Sequence, residues 1–188
     1  QSGPMTMGAS QVCGFLKSDS SRATPNLQFH VQPISTDILG ATKMHDFDGI
    51  TPTIANIRPT SRGEINIKSN DSRDNPKIKM NYLSTQEDRD VAAKSLKIVR
   101  KIMLETNAFK KYEPEEYRPG VHITDDEELV KAGSEFTQTI FHPVGTCKMG
   151  NDDNAVVNDK LYTHGLKNLR VIDASIMPNI TSGNTNAP

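Results

Sequence analysis

Residues 64–106 read EINIKSNDSRDNPKIKMNYLSTQEDRDVAAKSLKIVRKIMLET and hold two short strand patterns before a helical one. Ile65 and Ile67 alternate with polar residues, and a second alternation starts at Ile78 after the turn-forming residues 70–76. Alternation of this kind predicts two strands joined by a turn. Because no helix separates the two strands, we expect them to pair antiparallel.

The rest of this stretch predicts one long helix over about residues 85–106. Ser84-Thr85-Gln86-Glu87 has the pattern of a capping box, in which the first hydroxyl accepts from the third amide and the glutamate reaches back. Behind it, apolar residues recur at helical spacing and predict a stripe that packs in the core. The members of this stripe are Ala92, Leu96, Val99 and Met103.

Upstream of this stretch, residues 26–33 alternate in polarity and predict a half-buried strand that ends at Pro33. His30 falls on the polar face, where we interpret it as a solvated strand histidine. Residues 1–25 and 35–50 have no apolar period and are predicted to be loops.

Downstream, Asp125 with Glu128 marks the start of a second helix, and the apolar run 169–172 predicts a short strand. Strands that pair without intervening helices, next to helices with one apolar face, are typical of the α+β class. We therefore expect an antiparallel sheet with helices on one face.

The composition excludes several classes of function. Lys and Arg number 22 against 23 Asp and Glu, and the net charge of −1 makes nucleic acid an unexpected partner. No run approaches the roughly 18 apolar residues of a transmembrane helix, and the first residues show no targeting signal, so a cytoplasmic location is expected. Five His and two Cys have no metal-ligand spacing, so no metal is expected.

A histidine in the C-terminal third is a candidate general base. Residues 141–150 read FHPVGTCKMG, where Pro143 keeps His142 out of helical geometry and Gly145 allows a tight turn. The loop displays the side chain that serves most often as a general base. Spacing alone still favours an ordinary turn histidine. We interpret Cys147 in this loop as buried packing.

A second candidate segment is RVIDASIMPNITSGNTN, residues 170–186. A predicted strand ends at Asp173, and a turn rich in Gly and Asn follows over residues 181–186. Backbone amides in such a turn are able to bind an anion or a cofactor oxygen.

Together, FHPVGTCKMG and AVVNDKLYTHGLKNLRVIDASIMPNITSGNTNAP resemble the C-terminal signature of the glucose–methanol–choline (GMC) oxidoreductases, which are flavin-dependent alcohol oxidases and dehydrogenases. The upstream stretches GPMTMGASQ, NLQFHVQPIS, RPTSRGEINIKSND and NYLSTQEDRD are similar to the family in the same order. The resemblance covers essentially the whole chain and is closest to the choline-dehydrogenase-like branch.

The resemblance implies roles for six residues. His142 would take the proton of the alcohol, and Asn184 would hydrogen-bond the substrate oxygen. The other four would bind FAD, two near its ribityl and phosphate region and two near the isoalloxazine ring: Asp173 and Ala174, then Gly183 and Thr185. The implied reaction is oxidation of the CH–OH group of a choline-like or other primary alcohol, with hydride transfer to the flavin.

The departures from the family are informative as well. The dinucleotide fingerprint G-x-G-x-x-G does not occur, and the family normally continues past Pro188 into a final helix. We therefore expect a C-terminal fragment whose partner is the missing N-terminal flavin domain. Residues 1–145 are predicted to form the substrate-binding domain, and residues 146–188 to complete the FAD-binding domain as a short remnant.

Two alternatives stay open at this point. A hydroxynitrile lyase resembles this family and keeps the flavin without using it for redox chemistry. A chain that has lost its flavin half would instead be a non-catalytic binding or oligomerisation module.

Overall fold

The computed structural model describes residue 8, residues 10–37 and residues 43–188. The loops predicted over 1–25 and 35–50 therefore lie partly outside the described residues. Packing divides the chain into two compact units, and each unit is built from two separate segments of sequence.

The first unit comprises Gln1–Asn56 and Glu87–Gln138, and the second comprises Ile57–Gln86 and Thr139–Pro188. The chain therefore passes between the units more than once. The boundary predicted at residue 145 separates a substrate-binding part from an FAD-binding part. It is defined by what the two parts bind, not by packing, and it stays a prediction.

The first unit contains a three-stranded antiparallel sheet in the order β1-β2-β3. Its strands are β1 (Val12–Leu16), β2 (Leu27–Gln32) and β3 (Thr51–Asn56). The alternating strand predicted from the sequence is β2, and its existence is confirmed. Its polar face is not exposed, however, because the side chains of Gln28 and Gln32 are buried in the middle of the sheet.

Strand β1 corrects the prediction that residues 1–25 form a loop, whereas β3 lies at residues 51–56, just beyond the loop predicted over 35–50, and was not predicted as a strand. Gly14 interrupts β1 and Pro52 lies within β3, and both residue types weaken a strand signal in the sequence. Both are tolerated here because β1 and β3 are the edges of the sheet, where one side of each backbone needs no partner. All six residues of β3 are half-buried, so the strand also lacks the alternation that would reveal it.

The helix predicted over residues 85–106 is confirmed as α1 (Gln86–Arg100), which continues into a π-helical turn at Lys101–Glu105. The predicted stripe is only partly correct, because Met103 is buried while its other members are half-buried. The most buried apolar residues of α1 are Val91 and Ala93. A one-turn helix follows as α2 (Asn107–Lys110).

The second predicted helix is confirmed as α3 (Asp126–Ser134). The Asp125 carboxylate accepts hydrogen bonds from two backbone amides of the first turn, as expected of an N-cap. A Cβ at Gly133 would lie 3.1 Å from a methyl carbon of Leu96, so the glycine allows α3 to pack closely on α1. Leu129 on α3 is completely buried.

A largely buried ion pair fastens the end of α1 to the segment before α3. The guanidinium of Arg100 donates to both carboxylate oxygens of Glu116, at 2.7 and 2.9 Å. It also donates to the carbonyls of Gly120 and Ile123. The side chains of Arg100 and Glu116 are only 15% and 10% exposed, so this pair is part of the interior of the unit.

The second unit begins with a two-stranded antiparallel sheet made of β4 (Glu64–Asn66) and β5 (Lys77–Lys79), which confirms the predicted pairing. Ile65 and Ile78 face each other across the pair, and both are exposed. A Cβ at Gly63 would clash with the backbone of Lys79, so only glycine permits this close approach.

The strand predicted at residues 169–172 is wrong. Within the described residues this run forms a single bridge, between Arg170 and Tyr162, and Leu169 and Ile172 remain exposed. A strand needs a neighbour along its length, and a one-residue bridge does not supply one.

The chain therefore has the α+β fold with antiparallel sheets that the sequence predicted. None of the helices in the described part of the chain combines the length and the apolar character that a membrane crossing requires.

Candidate active site

The histidine loop of the second unit has a backbone that is closely constrained. Phe141 adopts a φ of 64°, which is uncommon for a residue with a side chain, and Gly145 adopts a φ of 91°. A Cβ at Gly145 would lie 3.5 Å from the carbonyl oxygen of Met177. Between these two positions His142 is half-buried.

Backbone hydrogen bonds attach this loop to the segment after Asp173. The Cys147 amide donates to the Ser175 carbonyl at 3.0 Å, and the Met149 amide donates to the Ile176 carbonyl at 2.8 Å. Asp173 in turn accepts from the Ser175 amide, and its hydrogen bonds with Ser175 hold the pKa of the carboxyl below its usual value. The two candidate segments are thus packed on each other.

The imidazole of His142 contacts the turn at residues 184–185 through both of its nitrogens. The side-chain amide nitrogen of Asn184 lies 2.7 Å from Nε2. On the other side of the ring, Thr185 Oγ1 lies 3.0 Å from Nδ1, and the Thr185 backbone amide lies 3.4 Å from the same atom. The structure therefore brings together three of the six predicted site residues.

The remaining three predicted site residues are Asp173, Ala174 and Gly183. None of the hydrogen bonds to the imidazole given above comes from them. Asp173 is exposed and caps a short 3₁₀ turn that starts at Ala174. The Gly183 amide donates to the Thr181 carbonyl at 2.7 Å, which tightens the turn before Asn184.

Two arginines from the stretch RPTSRGEINIKSND hold the loop that carries Asn184. Arg58 donates to the Ile180 carbonyl at 3.0 Å and to the Ser182 hydroxyl at 2.5 Å. Arg62 donates to the side-chain oxygen of Asn179 at 2.8 Å. The signal that could have pointed to this role is the motif RPTSR, in which Arg58 and Arg62 lie four residues apart next to Pro59.

Two further interpretations need correction. His30 on β2 is half-buried rather than solvated, and burial lowers the pKa of its imidazole. Cys147 is half-buried rather than buried, and both cysteines are free. Among the described residues, no group of three or more His, Cys, Asp or Glu side chains could hold a metal ion.

The fold and the site together define a class of protein. An imidazole and a carboxamide lie side by side, held by two loops that are hydrogen-bonded to each other. An imidazole is able to accept a proton and a carboxamide N–H is able to donate to an oxygen, so the arrangement is chemically capable of proton transfer.

Comparison with known proteins identifies the family. Residues 59–188 match the family model described as GMC oxidoreductase. The chain is 42% identical over 174 residues to an oxygen-dependent choline dehydrogenase of Proteus mirabilis, covering 93% of this chain and 31% of that protein. It is 42% identical over 186 residues to an alcohol dehydrogenase [acceptor] of Pseudomonas putida, covering 99% of this chain and 33% of that protein. The chain belongs to the GMC oxidoreductase family.

Solved structures show the same fold. Pyridoxine 4-oxidase from Mesorbium loti matches with a TM-score of 0.79 at 28% identity, over 94% of this chain and 35% of that chain. A formate oxidase variant from Aspergillus oryzae matches with a TM-score of 0.81 at 24% identity, over 95% of this chain and 36% of that chain. The chain spans about a third of the length of the curated relatives it matches. Hydroxynitrile lyase, the alternative within the family, gains no support from these relatives.

Proposed function

We propose that this chain is the C-terminal part of an FAD-dependent oxidoreductase that oxidises the CH–OH group of a small, choline-like or other primary alcohol. The observation that carries the proposal is the contact between His142 and Asn184, which pairs a base with a hydrogen-bond donor at 2.7 Å. Membership in the GMC family supports it, as do relatives named choline dehydrogenase and alcohol dehydrogenase [acceptor].

In the proposed reaction, Nε2 of His142 takes the hydroxyl proton of the alcohol. The side-chain amide of Asn184 donates to the substrate oxygen as negative charge builds on it, and it does so without competing for the proton. An oxygen stabilised in this way makes the hydrogen on the neighbouring carbon a better hydride donor. FAD, when bound, supplies the hydride acceptor.

The residues present fit contact with part of a flavin. Ala174 and Gly183 have almost no side chain, so their backbones are open to close approach by a ring or a ribityl hydroxyl. Asp173 is exposed, and Thr185 is half-buried beside the imidazole. We assign these four residues to FAD, the first two near the ribityl and phosphate region and the last two near the isoalloxazine ring: Asp173, Ala174, Gly183 and Thr185.

We further propose that a flavin domain encoded elsewhere in a longer chain is the partner of this one. Within the described residues of the second unit, Ile57 and Val157 are the only buried apolar residues. Several large apolar side chains of this unit are exposed instead, a pattern typical of a surface that another domain covers: Ile67, Ile78, Tyr82, Phe141, Leu166 and Ile172.

This partner also gives meaning to the predicted domain boundary. Residues 146–188 would complete the FAD-binding domain. Residues 1–145 would form the substrate-binding domain. A cytoplasmic location stays a prediction.

The test is flavin reduction by an alcohol in the longer protein that contains this chain. The protein is mixed anaerobically with choline and with a series of other primary alcohols, and the oxidised flavin absorbance is followed. Bleaching by an alcohol, and its loss in a His142→Gln variant that still binds FAD, supports the proposal. A flavin that no primary alcohol reduces would overturn it.

A further inference from the structure

The turn that carries Asn184 is held by a side chain that lies far from it in the sequence. Residues 179–186 form bends and turns rather than a helix or a strand. Inside this turn, the Gly183 amide donates to the Thr181 carbonyl at 2.7 Å. Segments without regular backbone pairing open easily unless contacts from elsewhere hold them. The position of Asn184 therefore depends on what grips the residues before it.

Arg58 grips two of these residues. One terminal nitrogen of its guanidinium donates to the Ile180 carbonyl at 3.0 Å, and the other donates to the Ser182 hydroxyl at 2.5 Å. The second of these acceptors lies only two residues before Asn184. Because a guanidinium is planar and its donors have fixed directions, it constrains both positions of the turn at once.

The point from which Arg58 reaches the turn is itself constrained. Ile57, which precedes it, is only 2% exposed and belongs to the buried core of the second unit. Pro59, which follows it, has a fixed φ and disfavours helical geometry at Arg58. The guanidinium is thus presented to the turn from a well-defined place in the fold.

We propose that Arg58 is a positioning residue for the site: by holding Ile180 and Ser182, it keeps the carboxamide of Asn184 beside His142. A displacement of about 1 Å in such a group is able to lower a rate by about 10²-fold. The effect of Arg58 on turnover rests on the function proposed above, whereas its hold on the turn does not.

The first test measures the turn directly in the 188-residue chain labelled with ¹⁵N. Backbone order parameters of residues 183–185 should lie near about 0.85 in the parent and fall toward about 0.6 in Arg58→Ala. Arg73→Ala is the matched control, because Arg73 belongs to the same unit and its exposed side chain pairs with Asp71 instead. Order parameters that are the same in the parent and in Arg58→Ala would overturn the proposal.

Kinetics of the longer protein distinguish positioning from a purely structural role. We expect Arg58→Ala to lower kcat for alcohol oxidation by about tenfold to 10²-fold, with a smaller change in KM. Because Arg58 is exposed, guanidinium ion at low concentration should restore part of the lost rate. Arg58→Lys should also restore only part of it, since one ammonium group replaces the two fixed donors of the fork.

A double variant shows whether Arg58 acts through Asn184. If it does, Arg58→Ala combined with Asn184→Ala should be no slower than Asn184→Ala alone. Losses that add would place the action of Arg58 elsewhere and would overturn the proposal.

Ser182→Ala covers the case in which Arg58→Ala does not fold. It removes one of the two acceptors and leaves the arginine in place, so we expect a smaller loss of order and of kcat in the same direction. Parent-like order parameters in Ser182→Ala would then overturn the proposal. If the longer protein oxidises no alcohol, the proposed function fails, but the order parameters still decide whether Arg58 holds the turn.

Discussion

The side-chain amide of Asn184 lies 2.7 Å from Nε2 of His142, although 42 positions separate the two residues in the sequence. The backbone bonds between the histidine loop and the segment after Asp173, together with the arginines that brace residues 179–182, hold the two groups in register. The fold of the second unit therefore brings His142 and Asn184 together. The role of each residue is tested separately.

Replacing His142 by alanine removes the proposed base. In the longer protein, we expect His142→Ala to lower turnover by about 10²–10⁴-fold, the usual contribution of a positioned acid–base group. The bound flavin should remain, because the flavin contacts proposed here lie on other residues. Steady-state kinetics with a flavin spectrum of each preparation measures both effects, and parent-like turnover at saturating alcohol would exclude His142 as the base.

Replacing Asn184 by alanine removes one donor from the substrate oxygen. Loss of such a donor typically costs about 2.7–4 kcal/mol at the transition state, or about 10²–10³-fold in turnover. Asn184→His, which keeps an N–H donor, should be milder. Comparing kcat/KM of the two variants checks this, and equal damage from both would favour a packing role for the turn.

The 188-residue chain by itself should not retain FAD. A dinucleotide is held mainly at its pyrophosphate by a Gly-rich turn and the N-terminus of the helix behind it, and the sequence has no such fingerprint. The experiment is dialysis of the purified chain against FAD, followed by gel filtration and a visible spectrum. Stoichiometric flavin absorbance in the protein peak would show that the residues around 173–174 and 183–185 suffice for binding.

Glu116→Ala should destabilise the first unit strongly. Removing one partner of a buried ion pair costs about 3–5 kcal/mol, and because the side chains of Arg100 and Glu116 are 15% and 10% exposed we expect a value toward the lower end. The matched control is Glu64→Ala, which breaks an exposed pair with Lys79 and should cost less than about 1 kcal/mol. Urea unfolding of the three chains measures the difference, and similar midpoints would contradict the structural role of Arg100.

His30 should make the stability of the chain depend on pH in the range below its ordinary pKa of 6.5. Burial lowers the pKa of His30 from its ordinary 6.5, so the folded state binds fewer protons than the unfolded state just below that value. Its contribution therefore favours folding as pH rises and opposes folding as pH falls through this range. Melting temperatures at pH 5 and pH 7.5 should differ less in His30→Gln than in the parent chain. An unchanged difference would mean that His30 titrates equally in both states.

Part of the fold could be predicted from the sequence because its signals are local. The helix over 85–106 and the N-cap at Asp125 follow from spacing and capping chemistry within a few residues of each other. The edge strands β1 and β3 could not be found in this way, because Gly14 and Pro52 interrupt their patterns and strand pairing with β2 stabilises them nonetheless.

The sequence also did not predict correctly which face of β2 is buried. The polar residues Gln28 and Gln32 predicted a solvated face on β2, but the strand lies between two others and both side chains are buried. Similarly, no spacing rule predicts that Thr185 would contact the ring of His142. The resemblance to a family singled out both residues, but only the folded chain shows which atoms meet.

The interleaving of the two units has a consequence for synthesis. The second unit combines Ile57–Gln86 with Thr139–Pro188, so its earlier segment leaves the ribosome long before its later one. During that interval Arg58 and Arg62 lack their partners at residues 179–182, and incompletely packed segments of this kind are prone to aggregation or chaperone binding. A truncation that removes residues 139–188 would keep both segments of the first unit. It would leave residues 57–86 without the other half of their own unit.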